Sequence, residues 1–433
     1  MELIEWILRD ENLKAAIQAV KRNKGAAGID RMPVEELDGY FAEHGEGIKA
    51  QIRAKQYKPQ PVRRVYIPKA NGKQRPLGIP TVVDRVIQQS VAQVLSLGYE
   101  RYFSENSYGF RPGRDCHGAI AKTLEYLNEG YEWVIDLDIE KYFDTVNHDK
   151  LVSILREHIN DAPTLHIIRT FLKAGVMEDG LTSPTIEGVP QGGPLSPVLS
   201  NVYLDKLDKE LEARGLHFVR YADDCDIFVR SEMAADRVMA SVTSWLERKL
   251  RLKVSATKTK VVRPTKSVFL GFTFWKDASG WKARPANDRK AKLIQRTREI
   301  LCRKRAVARP IGVTFMKLNQ LMRGWINYFG IGSMKGFLKE YGQWMRHKVR
   351  VVILKQWKNP KTIHRNLQKL NQYGKCNLSD EEIRKVANSR LGWFRRSAGD
   401  VMNYTLSPKI LSRKTKDRPG LVDPLAYYLV RCT

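Results

Sequence analysis

Two adjacent carboxylates, Asp223 and Asp224, stand between the runs Phe218 to Tyr221 and Ile227 to Val229. Aromatic and β-branched arms about an acidic centre predict a hairpin with the acids at its tip. A carboxylate pair held rigidly there repels itself unless a cation neutralises it, and Mg²⁺, a hard ion that prefers oxygen ligands, suits it. Asp-Asp alone also makes an ordinary turn. A second acidic stretch lies upstream. Residues Trp133 to Ile139 alternate apolar and acidic, which sets Asp136 and Asp138 on one face of a strand. Carboxylates on an otherwise apolar strand cost free energy unless they are paired or metal-bound. If that strand lies beside the hairpin, Asp138, Asp223 and Asp224 converge on a site of two-metal type.

The elements that must position these acids can be read in order. Apolar residues at helical spacing predict a helix over 3–22, and a second over 34–52. Between them, the glycine-containing run Lys24 to Asp30 reads as a turn and lacks the P-loop pattern. Residues 62–80 read as a β-hairpin about Asn71-Gly72, with Lys69, Lys73 and Arg75 near the turn. Those cations suit either a basic sheet edge or a finger holding a triphosphate. A helix is expected over 82–103. The Gly/Pro/Arg-rich run Ser107 to Arg114 is either a loop against template backbone or a connector. Asn147 caps a further helix. Residues 188–201 form a Gly/Pro loop running into a helix with Pro197 in its first turn. After the acidic hairpin come a helix over 233–250, a strand around Leu252 to Val254, and a short apolar hairpin over Phe269 to Phe274. Strand, helix, hairpin, helix, strand over 133–275 is a split βαβ arrangement, an antiparallel sheet backed by helices.

Composition narrows the partners. The chain has 433 residues, 42% of them hydrophobic, and formal net charge +28. Two or three domains are expected. No apolar run is long enough to span a bilayer, and the N-terminus does not read as a signal peptide. Five scattered cysteines without a Cys-x-x-Cys predict reduced thiols and no zinc site. The charge is lopsided: residues 1–274 are near neutral at +2, whereas 275–433 carry +26. Aromatics interleave that basic tail (Trp325, Tyr328, Phe329, Trp344, Trp357, Trp393, Phe394), which predicts a folded module that binds a polyanion.

Several of these stretches together resemble the ordered motifs of a reverse transcriptase: the strand ending in Asp138 with Phe143 beyond it, Gly188-Val-Pro-Gln-Gly-Gly-Pro-Leu-Ser-Pro197, and Tyr221-Ala-Asp-Asp224. Ile67 to Pro80, Ser107-Tyr-Gly-Phe-Arg-Pro112 and Gly324-Trp-Ile-Asn-Tyr-Phe329 resemble the group II intron-encoded branch, of bacterial type. The resemblance runs from about Gly25 to Trp357; residues 360–433 match less well.

It implies an α+β right-hand polymerase. Its fingers and N-terminal extension would be residues 1–112, its βαββαβ-type palm 113–285, and its basic, mainly helical thumb or maturase region and nucleic-acid-binding tail 286–433. It implies two Mg²⁺ ions, with Mn²⁺ as a substitute, on Asp138, Asp223, Asp224 and the Ile139 carbonyl. Lys69, Arg75 and Gln191 would hold the dNTP, and Phe143 would exclude a ribose 2′-OH. Lys258 would protonate the leaving pyrophosphate, unless Lys260 does. Phe269, Leu270, Gly271 and Phe272 would grip the primer. Asp136 and Asp226 match no metal position and are expected to be supporting or surface residues. The implied partners are intron RNA, an RNA template with a DNA primer, a DNA target and dNTPs. The implied setting is bacterial cytoplasm, with the protein at the nucleoid when on DNA. Clustered Cys and His of the family's endonuclease are missing, so no DNA-cleaving domain is expected. The alternatives are a splicing maturase that no longer polymerises, an RNA-dependent RNA polymerase, which Phe143 disfavours, and a domesticated reverse transcriptase with a host role such as repair.

Overall fold

The computed structural model describes residues 2–68, 72, 74–178, 181–189, 192–415 and 418–432. The chain divides into two compact units, Met1–Phe269 and Leu270–Thr433. No helix among the described residues is long and apolar enough to cross a membrane.

The first unit holds two four-stranded sheets. One is built on the predicted basic hairpin, β1 (Val62–Pro68) and β2 (Gln74–Ile79), which pair antiparallel. The others of the sheet, β4 (Val176–Glu178) and β5 (Leu181–Ser183), extend it in the order β2-β1-β4-β5. The other sheet contains β3 (Trp133–Leu137), β6 (His217–Tyr221), β7 (Asp224–Val229) and β8 (Lys260–Val262). Its order is β6-β7-β3-β8, with every neighbouring pair antiparallel. That is the split βαβ topology: helices connect β3 to the β6–β7 hairpin, and the helix Glu232–Trp245 connects the hairpin to β8. The fold is a mixed α+β one, as the motifs predicted.

The central strands β3 and β7 bury Val134, Ile135, Leu137, Ile227 and Phe228 almost completely. Helix Ser196–Ala213 packs Leu199, Val202, Leu207 and Leu211 into the same core. Burial on both sheet faces explains why these strands read as near-continuous apolar runs interrupted only by acids.

Local expectations needed correction at several points. The helix expected over 3–22 is two, Leu3–Ile7 and Asp10–Asn23. The fourth strand is β8 at 260–262, not Leu252 to Val254; Val254 makes only an isolated bridge to Ile139. Helix 233–250 ends its α-helical turns at Trp245 and closes with a wider π-type turn over Leu246–Leu250. The apolar run Phe269 to Phe274 is not a hairpin. Leu270 and Gly271 take left-handed backbone, and the hairpin lies just beyond, pairing β9 (Phe272–Asp277) with β10 (Gly280–Pro285).

The second unit is otherwise helical. Its core joins Leu293 of helix Asn287–Ile300, Phe315, Leu318 and Met322 of Ile311–Phe329, and Met345, Val349 and Val352 of Lys335–Trp357. Ile363 and Leu367 of Pro360–Gly374 complete it. The basic tail is thus a folded module, as its aromatic content required.

Candidate active site

The hairpin forms where its arms predicted. Tyr221 pairs with Asp224, leaving Ala222 and Asp223 as a two-residue turn. Ala222 sits at φ 58°, a left-handed conformation that costs a residue with a Cβ roughly 1 kcal/mol. The surroundings hold it there. Gly109 lies so close beneath the turn that a Cβ on it would stand 2.3 Å from the Ala222 nitrogen. The Arg220 backbone N–H donates to Asn106 O, and the Tyr108 N–H to Arg220 O, both at 2.9 Å. The run Ser107 to Arg114 is therefore the strut under the acidic tip.

One side chain ties the strut together. Arg220 is fully buried and donates two bonds to Asp208, at 2.7 and 2.6 Å. Its remaining donors reach Ser107 Oγ at 2.8 Å, Ala222 O at 2.9 Å and Asn201 Oδ1 at 3.1 Å. Asn201 in turn donates to Gly109 O at 2.8 Å. Sequence patterning does not reveal this four-residue network of Ser107, Asn201, Asp208 and Arg220. Its only signal was an arginine inside an otherwise apolar strand arm, where a buried charge must find a partner.

The acids face one another across the sheet. Register places Asp136 opposite Asp226 and Leu137 opposite Cys225, where the ladder ends, and just beyond it Asp138 lies near enough to Asp224 for its charge to be felt there. Antiparallel partners point to the same side, which puts Asp136, Asp138, Asp224 and Asp226 on one face, with Asp223 at the turn. Burial, then the charges of Asp223, Asp136 and Asp138, push the Asp224 carboxyl up to about 6. Burial, then Asp136 and Asp224, raises Asp226 well above the ordinary carboxylate value, and one of its oxygens has no hydrogen-bond partner. Asp136 is raised by burial and by Asp138, against the pull of Lys260. Asp226, 2% exposed, is thus a core residue and not a surface one.

Asp138 has a cation of its own. Lys258 Nζ lies 2.9 and 3.0 Å from its two oxygens. Among the described residues no three Asp, Glu, His or Cys groups are gathered as a ready-made metal cage. The donor set nonetheless suits a hard divalent ion: oxygen-only, with more carboxylates than counter-charges and a buried orphan oxygen behind them. Ile139 is buried, and the bridge beside it runs from Glu140 N–H to Lys253 O and from Ser255 N–H to Asp138 O. Neither bond uses the Ile139 carbonyl.

A cavity of about 470 Å³ opens beside Phe143 and is lined by Arg75, Gln89, Gly192, Gly193 and Pro197. Phe143 belongs to the short helix Tyr142–Thr145, entered through the left-handed Lys141. Backbone packs closely at its edge, where a Cβ on the lining residue Gly192 would stand 2.7 Å from Gly78 O. Gly188, at φ 92°, lies outside this lining and gives its N–H to Val146 O at 2.8 Å. Arg75, on β2, thus meets Phe143 at one cavity. Lys69, Lys73 and Gln191 lie outside the described residues. Of the grip residues, Phe269 is buried at the end of the first unit. In the second, Tyr328 Oη donates to Leu270 O at 3.0 Å, the Ala286 N–H donates to Gly271 O, and Phe272 stacks on Tyr328.

A palm-type sheet bearing carboxylates on a hairpin and its neighbouring strand, beside a nucleotide-sized cavity, defines a template-directed polymerase. Residues 67–274 match the reverse transcriptase (RNA-dependent DNA polymerase) family, and 290–373 the group II intron maturase-specific domain. Protein YkfC of Escherichia coli K12 is 33% identical over 310 residues, covering 62% of this chain and 81% of that protein. The group II intron-encoded protein LtrA of Lactococcus lactis is 40% identical over 208 residues, which is 48% of this chain and 34% of LtrA. The chain belongs to the group II intron reverse transcriptase/maturase family, whose enzyme class is RNA-directed DNA polymerase.

Proposed function

We propose that this protein extends a DNA primer on an RNA template with dNTPs and also binds intron RNA to aid its splicing and retrohoming. The observation that carries the reading is the acidic cluster in which the Asp224 carboxyl feels the charges of Asp223 and Asp138, with the Phe143–Arg75 cavity in the same unit. Asp138, Asp223, Asp224 and the Ile139 carbonyl would hold two Mg²⁺ (Mn²⁺ in substitution), which would supply charge stabilisation to in-line phosphoryl transfer. Lys69, Arg75 and Gln191 would orient the triphosphate and the incoming nucleotide, and Phe143 would close the space a 2′-OH needs. Lys258, released from Asp138, would stand ready to protonate the leaving pyrophosphate. Phe269 to Phe272 would steady the primer terminus.

In this reading residues 1–112 serve as fingers, 113–285 as palm and 286–433 as thumb and nucleic-acid-binding region. The +26 tail supports the RNA-binding half. A DNA target and a bacterial cytoplasmic setting follow from the same reading.

The test is primer extension on an RNA template, with dNTPs or rNTPs, with and without Mg²⁺, for the native chain and Asp223→Asn. Metal-dependent extension with dNTPs alone, abolished by Asp223→Asn with RNA binding retained, is expected. Extension that survives the substitution sinks the metal assignment. Absent extension with tight binding to structured RNA makes the protein a splicing factor.

A further inference from the structure

A second cavity lies within the second unit, partly built from residues beyond those matched by the maturase-specific domain. It has a volume of about 640 Å³. Leu301, Val351 and Val352 give it an apolar floor, and Arg303, Lys348, Arg390 and Arg395 stand around it with Trp393 and Phe394. No carboxylate lines it among the described residues. Four cations about an apolar floor repel one another, and they call for an anion with a flat apolar body.

The aromatic side of this cavity is built, not loose. Arg396 is buried, donates to Ala387 O at 2.5 Å and lies 5.4 Å over the Trp393 ring. Ser397 Oγ donates to Phe394 O at 2.9 Å, and His347 Nε2 lies 3.0 Å from the same carbonyl. These bonds fix the Phe394 backbone while 54% of the residue stays exposed. The ring packs 4.3 Å from His347, and Lys348 Nζ lies 4.8 Å from its centroid. An exposed ring on a fixed backbone, packed against a histidine and beside cations, is an arrangement that can stack a nucleobase while its phosphate is neutralised.

We propose that this cavity binds one unpaired nucleotide of a nucleic-acid strand, its base on Phe394 and its phosphate among Arg303, Arg390 and Arg395. The inference deepens the RNA-binding half of the proposed function and rests on it. A base stacked on one aromatic residue is worth about 1–3 kcal/mol, roughly a tenfold preference or more for an unpaired base.

The experiment uses the full chain and two RNA hairpins, identical but for one bulged 2-aminopurine nucleotide, titrated by fluorescence and by filter binding. The native protein is expected to prefer the bulged hairpin about tenfold, with quenched 2-aminopurine emission. Phe394→Ala should lose the preference and the quenching while still binding the plain hairpin as before. Phe394→Trp should restore both, which separates stacking from damage to the fold. Arg390→Gln with Arg395→Gln should weaken the bulged hairpin and flatten its salt dependence. A deoxyribose version of the bulge distinguishes an RNA source from a DNA one. Equal affinity for both hairpins in the native protein overturns the proposal, as does a Phe394→Ala protein that loses both equally. Primer extension by the same native sample reports separately on polymerisation. Extension without a bulge preference removes this site alone; a bulge preference without extension removes the polymerase reading alone.

Discussion

Lys258 Nζ lies 2.9 Å from one oxygen of the Asp138 carboxylate and 3.0 Å from the other, joining residues 120 positions apart. A cation seated on both oxygens competes directly with a metal for the same lone pairs. Lys258→Ala should therefore bind Mg²⁺ more tightly yet turn over more slowly, by about 10²-fold if the ammonium is the general acid. A Mg²⁺ titration of single-nucleotide incorporation separates the two effects. If the substitution leaves both the midpoint and the plateau unchanged, Lys258 is only a surface partner.

The pH dependence follows from Asp224. Its carboxyl is raised from the ordinary 3.8 to about 6, first by burial and then by the neighbouring acids. The folded state thus binds this proton more tightly than the unfolded chain, so the metal-free protein should lose stability as pH rises from about 4 to 6. A Mg²⁺ ion held by Asp224 would have to displace the same proton below pH 6, so its apparent affinity should fall about tenfold per unit there. Thermal melts with and without Mg²⁺ should show a larger metal-induced rise at pH 7.5 than at pH 5. An equal rise at both would mean that Asp224 does not ligate.

Arg220 is the tie beneath the site. Removing one partner of a fully buried pair leaves the other charge uncompensated, which costs about 3–5 kcal/mol. Arg220→Met should lower the urea midpoint accordingly. The double variant with Asp208→Leu should recover part of that loss. A single substitution with an unshifted midpoint is incompatible with the network described.

Gly109→Ala tests the strut without touching any charge. The new Cβ would meet backbone at 2.3 Å, so the turn carrying Asp223 must move. A displacement near 1 Å is expected to reduce the extension rate about 10²-fold while RNA affinity stays as it was. Native-like extension would show that the tip tolerates the shift.

Phe143→Ala enlarges the cavity shared with Arg75. Incorporation of rNTPs relative to dNTPs should rise by about 10- to 100-fold, the range set by deleting apolar bulk from a pocket wall. An unchanged ratio in a competitive incorporation assay would remove Phe143 from sugar selection.

How much of this was legible in the sequence depends on the range of each interaction. The acidic hairpin, its β3 neighbour and the helix opening at Pro197 follow from patterns within a dozen residues, and they stand where the residues predicted. So does the basic tail, because its aromatics require a core. Patterns that depend on partners elsewhere were not legible. The run Ser107 to Arg114 gave no sign that it would lie under a turn more than a hundred residues later. The position of the fourth strand is not legible because Leu252-Lys253-Val254 alternates like a strand, yet it is 260–262 that pairs with β3. Where Lys258 and Lys260 stand also needed coordinates: the first reaches Asp138, whereas the second stands opposite Asp136 in the ladder.

The Arg220 network has a kinetic consequence. Its contact with Ser107 Oγ spans 113 residues, and closing a loop of that size costs about 4 kcal/mol of chain entropy. The hairpin can form locally, but its left-handed tip is supported only after that distant loop has docked. The carboxylates therefore reach their final spacing late in folding, once the slow, long-range contacts are made.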